Sequence, residues 1–133
     1  MEALEMRLVM TVKDFERTAA FFRQGLGLPQ IAAFENDGGH GLLLDAGRAT
    51  LEIFDEAQAR AIDDIEVGRR VSGPFRIAFQ VADSDVAAEA LVRAGAEMVG
   101  RPVNTPWGDR NVRLAGPDGV QLTLFAAQTG VIE

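Results

Sequence analysis

Cysteine is absent from these 133 residues. That excludes a disulfide framework, a thiol nucleophile and a thiolate metal site. Histidine occurs once, as His40, so no multi-histidine metal site can form. Positive charge is in deficit: the formal net charge is −7. An acidic chain repels phosphate backbones, which disfavours nucleic-acid binding. No apolar run approaches the roughly 20 residues that span a bilayer, so no membrane partner is expected. The start, Met1 to Arg7, lacks a basic stretch followed by an apolar one. With no such secretion signal, a cytoplasmic location is the expectation. The length suits one domain, residues 1–133, with a core large enough to need no staples.

What is present is a repeat. Residues 75–83 alternate strictly, with Phe75, Ile77, Phe79 and Val81 on one side and Arg76, Ala78 and Gln80 on the other. That period of two marks a strand with one apolar face. Residues 7–14 carry the same pattern. Leu8, Met10 and Val12 match Ile77, Phe79 and Val81; Arg7 matches Arg76, Thr11 matches Gln80, and Asp14 matches Asp83, always 69 residues apart. A long, constant spacing points to a duplicated unit.

Each copy reads as β-α-β-β-β. In the first, residues 6–54, a strand over 7–13 leads to Asp14 as a helix N-cap. A helix follows through Phe15, Thr18, Ala19, Phe22 and Leu26. Strands are expected over 30–35, 40–45 and 48–54. Residues 55–74, rich in charge and weakly periodic, read as a linker with a short helix near 56–62. The second copy, 75–127, has a strand over 75–82, Asp83 as N-cap and a helix through Val86, Ala90, Leu91 and Ala94. Then come a short strand at Met98-Val99, a long loop from Arg101 to Asp109, and strands over 110–115 and 120–126 joined by a hairpin turn at 116–119. Residues 129–133 read as a frayed tail.

Sorting the strands by face gives a large apolar set (Leu8, Met10, Val12, Leu51, Ile53, Ile77, Phe79, Val81, Leu122, Leu124) that covers the helices. The opposite faces hold Arg7, Val9, Thr11, Thr50, Glu52, Phe54, Arg76, Ala78, Gln80, Gln121, Thr123 and Phe125. Such a mixed face suits either solvent or the wall of a cup. Phe54 and Phe125, at matching places, favour a cup, because two symmetric exposed phenylalanines are costly.

Two β-α-β-β-β modules in this length resemble the vicinal oxygen chelate superfamily, which includes glyoxalases, bleomycin resistance proteins and extradiol dioxygenases. The likeness rests on Val12-Lys13-Asp14, the helix end Phe21 to Leu28, Leu51-Glu52-Ile53-Phe54, Pro106 to Arg110, and Gly116-Pro117-Asp118-Gly119. It implies an α+β fold whose curved mixed sheet surrounds a cup, and a homodimer. It also implies four metal positions, which fall on Arg7, Glu52, Arg76 and Thr123. Only Glu52 is an ordinary ligand, since a guanidinium is charged and has no lone pair to give. A metal-free protein with no cofactor is therefore expected, which disfavours metal-dependent glyoxalase or dioxygenase chemistry.

If the cup exists, Arg7, Arg76 and Glu52 converge in it, with Glu52 bridging the guanidiniums at a lowered pKa and a local charge excess of +1. That suits a small anionic or aromatic ligand. The binding residues would be Arg7, Arg76, Thr11, Phe54, Gln80, Trp107, Gln121, Thr123 and Phe125. The alternative use of the same three charged groups is a structural network that binds nothing. For function, a binding module stands beside an enzyme of lyase, isomerase or dioxygenase-like type with Glu52 as catalytic base. Trp107 reads as a lid or an interface residue, His40 as a surface-turn histidine or a base, and Asp109 as a turn former.

Overall fold

The duplicated strands find each other. β1 (Glu5–Thr11) pairs antiparallel with β5 (Phe75–Gln80), so that Leu8 lies opposite Ile77, its own counterpart in the repeat. A local twofold therefore runs through the middle of the sheet. In the computed structural model, which describes residues 2–25, 27–116 and 119–128, everything else is arranged about that pair.

After β1, Asp14 accepts from the Arg17 backbone N–H at 3.1 Å and starts α1 (Phe15–Ala20). The helix widens into one π turn over Phe21–Gly25; Leu26, expected to extend it, lies outside the described residues. β2 (Gln30–Asn36), β3 (Gly39–Asp45) and β4 (Thr50–Phe54) follow as an antiparallel meander, and β4 closes parallel onto β1. The second module begins with β5 and a matching Asp83 cap, 3.1 Å from the Val86 N–H, at the start of α3 (Ser84–Arg93). Next come β6 (Glu97–Met98), β7 (Val103–Asn104), β8 (Asp109–Ala115) and β9 (Gln121–Ala127), which lies parallel to β5. The expected long loop thus holds the two-residue strand β7. Residues 117–118 of the expected hairpin turn and the 129–133 tail lie outside the described residues.

Among the described residues the result is a mixed α+β architecture of nine strands in one curved sheet, ordered β2-β3-β4-β1-β5-β9-β8-β6, with β7 beside β8. The apolar faces behave as their alternation predicts. Leu8, Met10, Val12, Leu51 and Ile53 pack under α1 with Ala19, while Phe79, Val81 and Leu124 pack under α3 with Ala87 and Ala88. Phe75 departs from the pattern. It sits at the very start of β5, past the edge of the helix that covers the strand, and is 56% exposed.

Between β4 and β5, α2 (Glu56–Glu66) is longer than the short helix expected there. It lies on the opposite side of the sheet from α1 and α3. Ala59 and Ile62 pack on Val9 and Phe54, which alternate away from the α1 core. Asp55 caps it, accepting from the Gln58 N–H at 2.8 Å. Two glycines let the helix ends approach the sheet. A Cβ on Gly39 would stand 2.0 Å from the Gln58 nitrogen, and one on Gly100 would stand 2.2 Å from the Glu66 carbonyl oxygen. No helix of the described residues is long and apolar enough to cross a membrane.

Candidate functional site

The curved sheet and α2 enclose a cavity of about 340 Å³. Its walls come from β1, β4, β5 and β9, with β2, β3, β8, the Trp107 loop and α2 completing them. Seven of the expected site residues line it: Arg7, Glu52, Phe54, Arg76, Trp107, Thr123 and Phe125. Thr11, Gln80 and Gln121 do not. Thr11 and Gln80 end their strands, past the reach of the cup, and the Gln121 amide oxygen lies 3.5 Å from Arg113 Nη1. His40 is exposed at the start of β3, with Nδ1 3.1 Å from Asp55 Oδ2, and is not part of the cavity.

The repeat is written into the walls. The Arg7 guanidinium lies over the Phe125 ring at 4.7 Å, and Arg76 lies 5.8 Å from the Phe54 ring. Each module's arginine thus meets the other module's phenylalanine. Stacking of this kind holds the fork in one plane and covers its apolar face.

Glu52 does not bridge the arginines. Arg7 pairs instead with Glu5 at 3.0 Å, and Arg76 donates from Nη1 to Thr123 Oγ1 at 2.8 Å. Among the described residues the Glu52 side chain has no hydrogen bond and no ion pair. Its expected low pKa is therefore overturned. Burial pushes the carboxyl above its ordinary value, and the attraction of Arg76 and Arg7, acting across space rather than by contact, only partly offsets that. Arg76 is buried too, and the same desolvation lowers its pKa while Glu66 and Glu52 oppose the shift.

Behind Thr123 lies a network centred on Arg113, which is completely buried. Arg113 donates to Glu66 Oε1 from Nε and Nη2, at 3.0 and 2.7 Å, and from Nη1 to Asp63 Oδ1 at 2.9 Å. Ser72 Oγ donates to the same Asp63 oxygen, and the Val71 and Ser72 N–H groups donate to the other. Burial would raise Asp63, but the Ser72 hydroxyl, the Arg113 charge and the two N–H groups outweigh it and hold it at about 2. Asn111 Nδ2 donates to Glu66 Oε2 at 2.8 Å. Thr123 Oγ1 accepts from both Arg76 and Arg113 and donates to Glu66 at 3.2 Å, which uses its whole hydrogen-bonding capacity.

Two findings follow for the chemistry. The expected positive excess is absent, because Glu66 and Asp109 join Glu52 on the wall, giving three carboxylates against Arg7 and Arg76. The four implied metal positions also offer a poor donor set. Two are guanidiniums, and Thr123 has its lone pairs committed, so only Glu52 has oxygens to give. Among the described residues no cluster of three or more His, Asp or Glu side chains could hold an ion. The residues do not fit a divalent metal.

Asp109, read from sequence as a turn former, lines the cavity as well. Its backbone is pinned by Thr105, whose N–H and hydroxyl both bond the Asp109 carbonyl, at 2.8 and 3.2 Å. Burial raises its carboxyl above the ordinary value, with Arg7 and the Trp107 side chain pulling the other way.

Comparison with known proteins agrees with this architecture. The family model described as Glyoxalase/Bleomycin resistance protein/Dioxygenase superfamily matches residues 6–124. No curated protein matches the sequence. A solved hypothetical protein from Bacillus halodurans C-125 shares 16% identity over 96% of each chain, with a TM-score of 0.72. A methylmalonyl-CoA epimerase from Streptomyces coelicolor, in complex with 2-nitronate-propionyl-CoA, is 22% identical over 95% of this chain and 99% of its own, with a TM-score of 0.68. A glyoxalase/bleomycin resistance protein/dioxygenase superfamily member from Vibrio splendidus 12B01 is 10% identical over 92% and 98%, with a TM-score of 0.64. At these identities the likeness is one of fold.

Proposed function

The chain belongs to the glyoxalase/bleomycin resistance protein/dioxygenase superfamily, and from that premise we propose that its cup binds a small organic acid with an apolar or aromatic body, without a divalent metal. The observation that carries the reading is Arg76. Only its Nη1 has a hydrogen-bond partner among the described residues, while the rest of a buried guanidinium lines the cavity with donors to spare. A carboxylate is the group that such a fork takes in two bonds. Phe54, Phe125 and the half-exposed Trp107 supply flat apolar wall for the body of the ligand. The volume lies at the small end of the range for ligand sites, which suits a compact molecule.

The test is a thermal-shift panel of aliphatic and aromatic acids and divalent metal ions. A ligand at 100 times its Kd adds about 2.7 kcal/mol, a rise of several degrees for a domain of this size. The expected result is stabilisation by an acid, lost in Arg76→Gln. Stabilisation by nickel, manganese or zinc ions instead would overturn the metal-free reading.

One observation favours a second reading, in which the same site catalyses proton transfer. The Glu52 side chain is unpaired, and desolvation raises its pKa, which makes it a stronger base than an ordinary carboxylate. The corresponding step takes a proton from carbon next to the bound acid's carbonyl, with Arg76 stabilising the charge that develops on oxygen. Glu52→Gln separates the two readings. Turnover abolished with affinity retained would mean catalysis, whereas a bound acid with no solvent-deuterium exchange at its carbon would mean binding alone.

A further inference from the structure

The proposed reading leaves two carboxylates of the cup without a role. Arg7 is answered by Glu5, Arg113 by Asp63 and Glu66, and Arg70 by Glu56. What remains on the cavity wall is Arg76 on one side of the account and Glu52 and Asp109 on the other. The Trp107 side chain donates towards Asp109, but among the described residues neither carboxylate has an ion pair. They come from different modules, Glu52 from β4 and Asp109 from the start of β8. Both line the one cavity that Arg76 also lines. A ligand with a carboxylate and nothing else would satisfy Arg76 and leave two like charges to repel it. A buried charge is tolerated when an opposite charge meets it.

We propose that the ligand of this cup is a zwitterion, an acid that also carries a cationic amine, with its carboxylate on Arg76, its nitrogen on Asp109, and its apolar body against Phe54 and Phe125. This rests on the acid-binding reading and adds the second charge. The Trp107 loop then has a specific task. It carries Asp109 to the cup, and the Thr105 bonds to the Asp109 backbone fix where that carboxylate stands.

The experiment is titration calorimetry on the full chain with matched probes: phenylalanine, hydrocinnamate and phenethylamine, then leucine, isocaproate and isoamylamine. Each set holds the body constant and removes one charge at a time. The amino acid of one set is expected to bind at least about tenfold more tightly than its acid or its amine. Asp109→Asn should weaken the amino acid about tenfold and leave the acid unchanged or tighter, since a repelling charge has gone. A second measurement needs no variant. In buffers of different ionisation heat, acid binding to the wild-type protein should take up protons on Glu52 or Asp109, and amino-acid binding should not. An acid that binds as tightly as its amino acid overturns the zwitterion and leaves the acid reading standing. An amine that binds more tightly than both overturns the acid reading too, and so does a panel in which nothing binds at millimolar concentration.

Discussion

At the scale of single residues, Glu52 and Asp63 show opposite fates for a carboxylate turned away from bulk water. Asp63 receives five hydrogen bonds and is held at about 2. A depressed carboxylate contributes stability above its unfolded pKa, and that stability is lost as pH falls through the folded value. The expected window runs from about pH 4 down to about pH 2, and the contribution at neutral pH is about 2 kcal/mol. Asp63→Asn should therefore lower stability at pH 7 in urea unfolding, and the deficit should shrink as pH approaches 2. Glu52 has the opposite sign. A raised carboxylate favours folding in its protonated form, so its ionised form opposes folding once pH passes the unfolded value of 4.5. Glu52→Gln is expected to raise the melting temperature by a few degrees at pH 7 and to make no difference at pH 4. A destabilising Glu52→Gln at pH 7 would mean that the carboxylate has structural partners after all.

Legibility differed for the same residues. Arg7 and Arg76 stood out because the repeat aligned them on the polar side of duplicate strands. Arg113 did not, although a signal existed. In Asn111-Val112-Arg113-Leu114, alternation sends Val112 and Leu114 into the core under α3, so Asn111 and Arg113 must face the other side of the sheet, where α2 lies. An arginine on an inward face needs carboxylates, and those come from α2, far away in sequence. Removing the arginine, as in Arg113→Met, strands Glu66 and Asp63 in the interior. About 3–5 kcal/mol of stability should be lost, read as a lower urea midpoint.

At the scale of elements, α2 shows why a segment resists sequence reading. Its buried residues are Gln58, Ala59, Ala61, Ile62, Asp63 and Glu66, half of them polar and two of the rest alanine. Ile62 is the one large apolar side chain among them, so the stretch looks like a charged linker. Its burial is tolerable only because β8 and the Ser72 turn supply the partners. Its docking also depends on two side chains that are missing. Gly39→Ala and Gly100→Ala each force a Cβ against α2 backbone, which cannot swing aside as a side-chain tip can. Each is expected to cost about 1–3 kcal/mol, and Gly47→Ala, with open space around it but a φ of 84°, is the control for backbone effects alone. If either packing variant matched wild type in thermal unfolding, α2 would sit more loosely on the sheet than its contacts imply.

At the scale of the whole molecule, the duplication is structural as well as sequential. β1 meets β5 about a local twofold, and the caps Asp14 and Asp83 begin equivalent helices on the same side of the sheet. One continuous sheet should unfold as one unit. Asp14→Ala and Asp83→Ala are each expected to cost about 1 kcal/mol, and the double variant should give the sum in a single transition, as for distant independent sites. Two separated transitions would show that the modules melt independently.

The sequence by itself determined the two modules, the strand faces, the aspartate caps Asp14 and Asp83, and the placing of Arg7, Arg76, Glu52 and the two phenylalanines on one side of the sheet. All of these follow from short-range rules, namely period two, period 3.6 and side-chain capping, with the repeat supplying the one long-range relation. Tertiary structure alone decided which charges meet. The ion pairs of Arg113 with Asp63 and Glu66 depend on the placement of α2 against β8, whereas Arg7 and Glu5 are neighbours on one face of β1. Burial raised the pKa of the unpaired Glu52, and the start of β8, held by Thr105, brought Asp109 to the cavity. Coulombic energy and desolvation vary with distance and burial in space, and neither quantity is written in the order of residues along the chain.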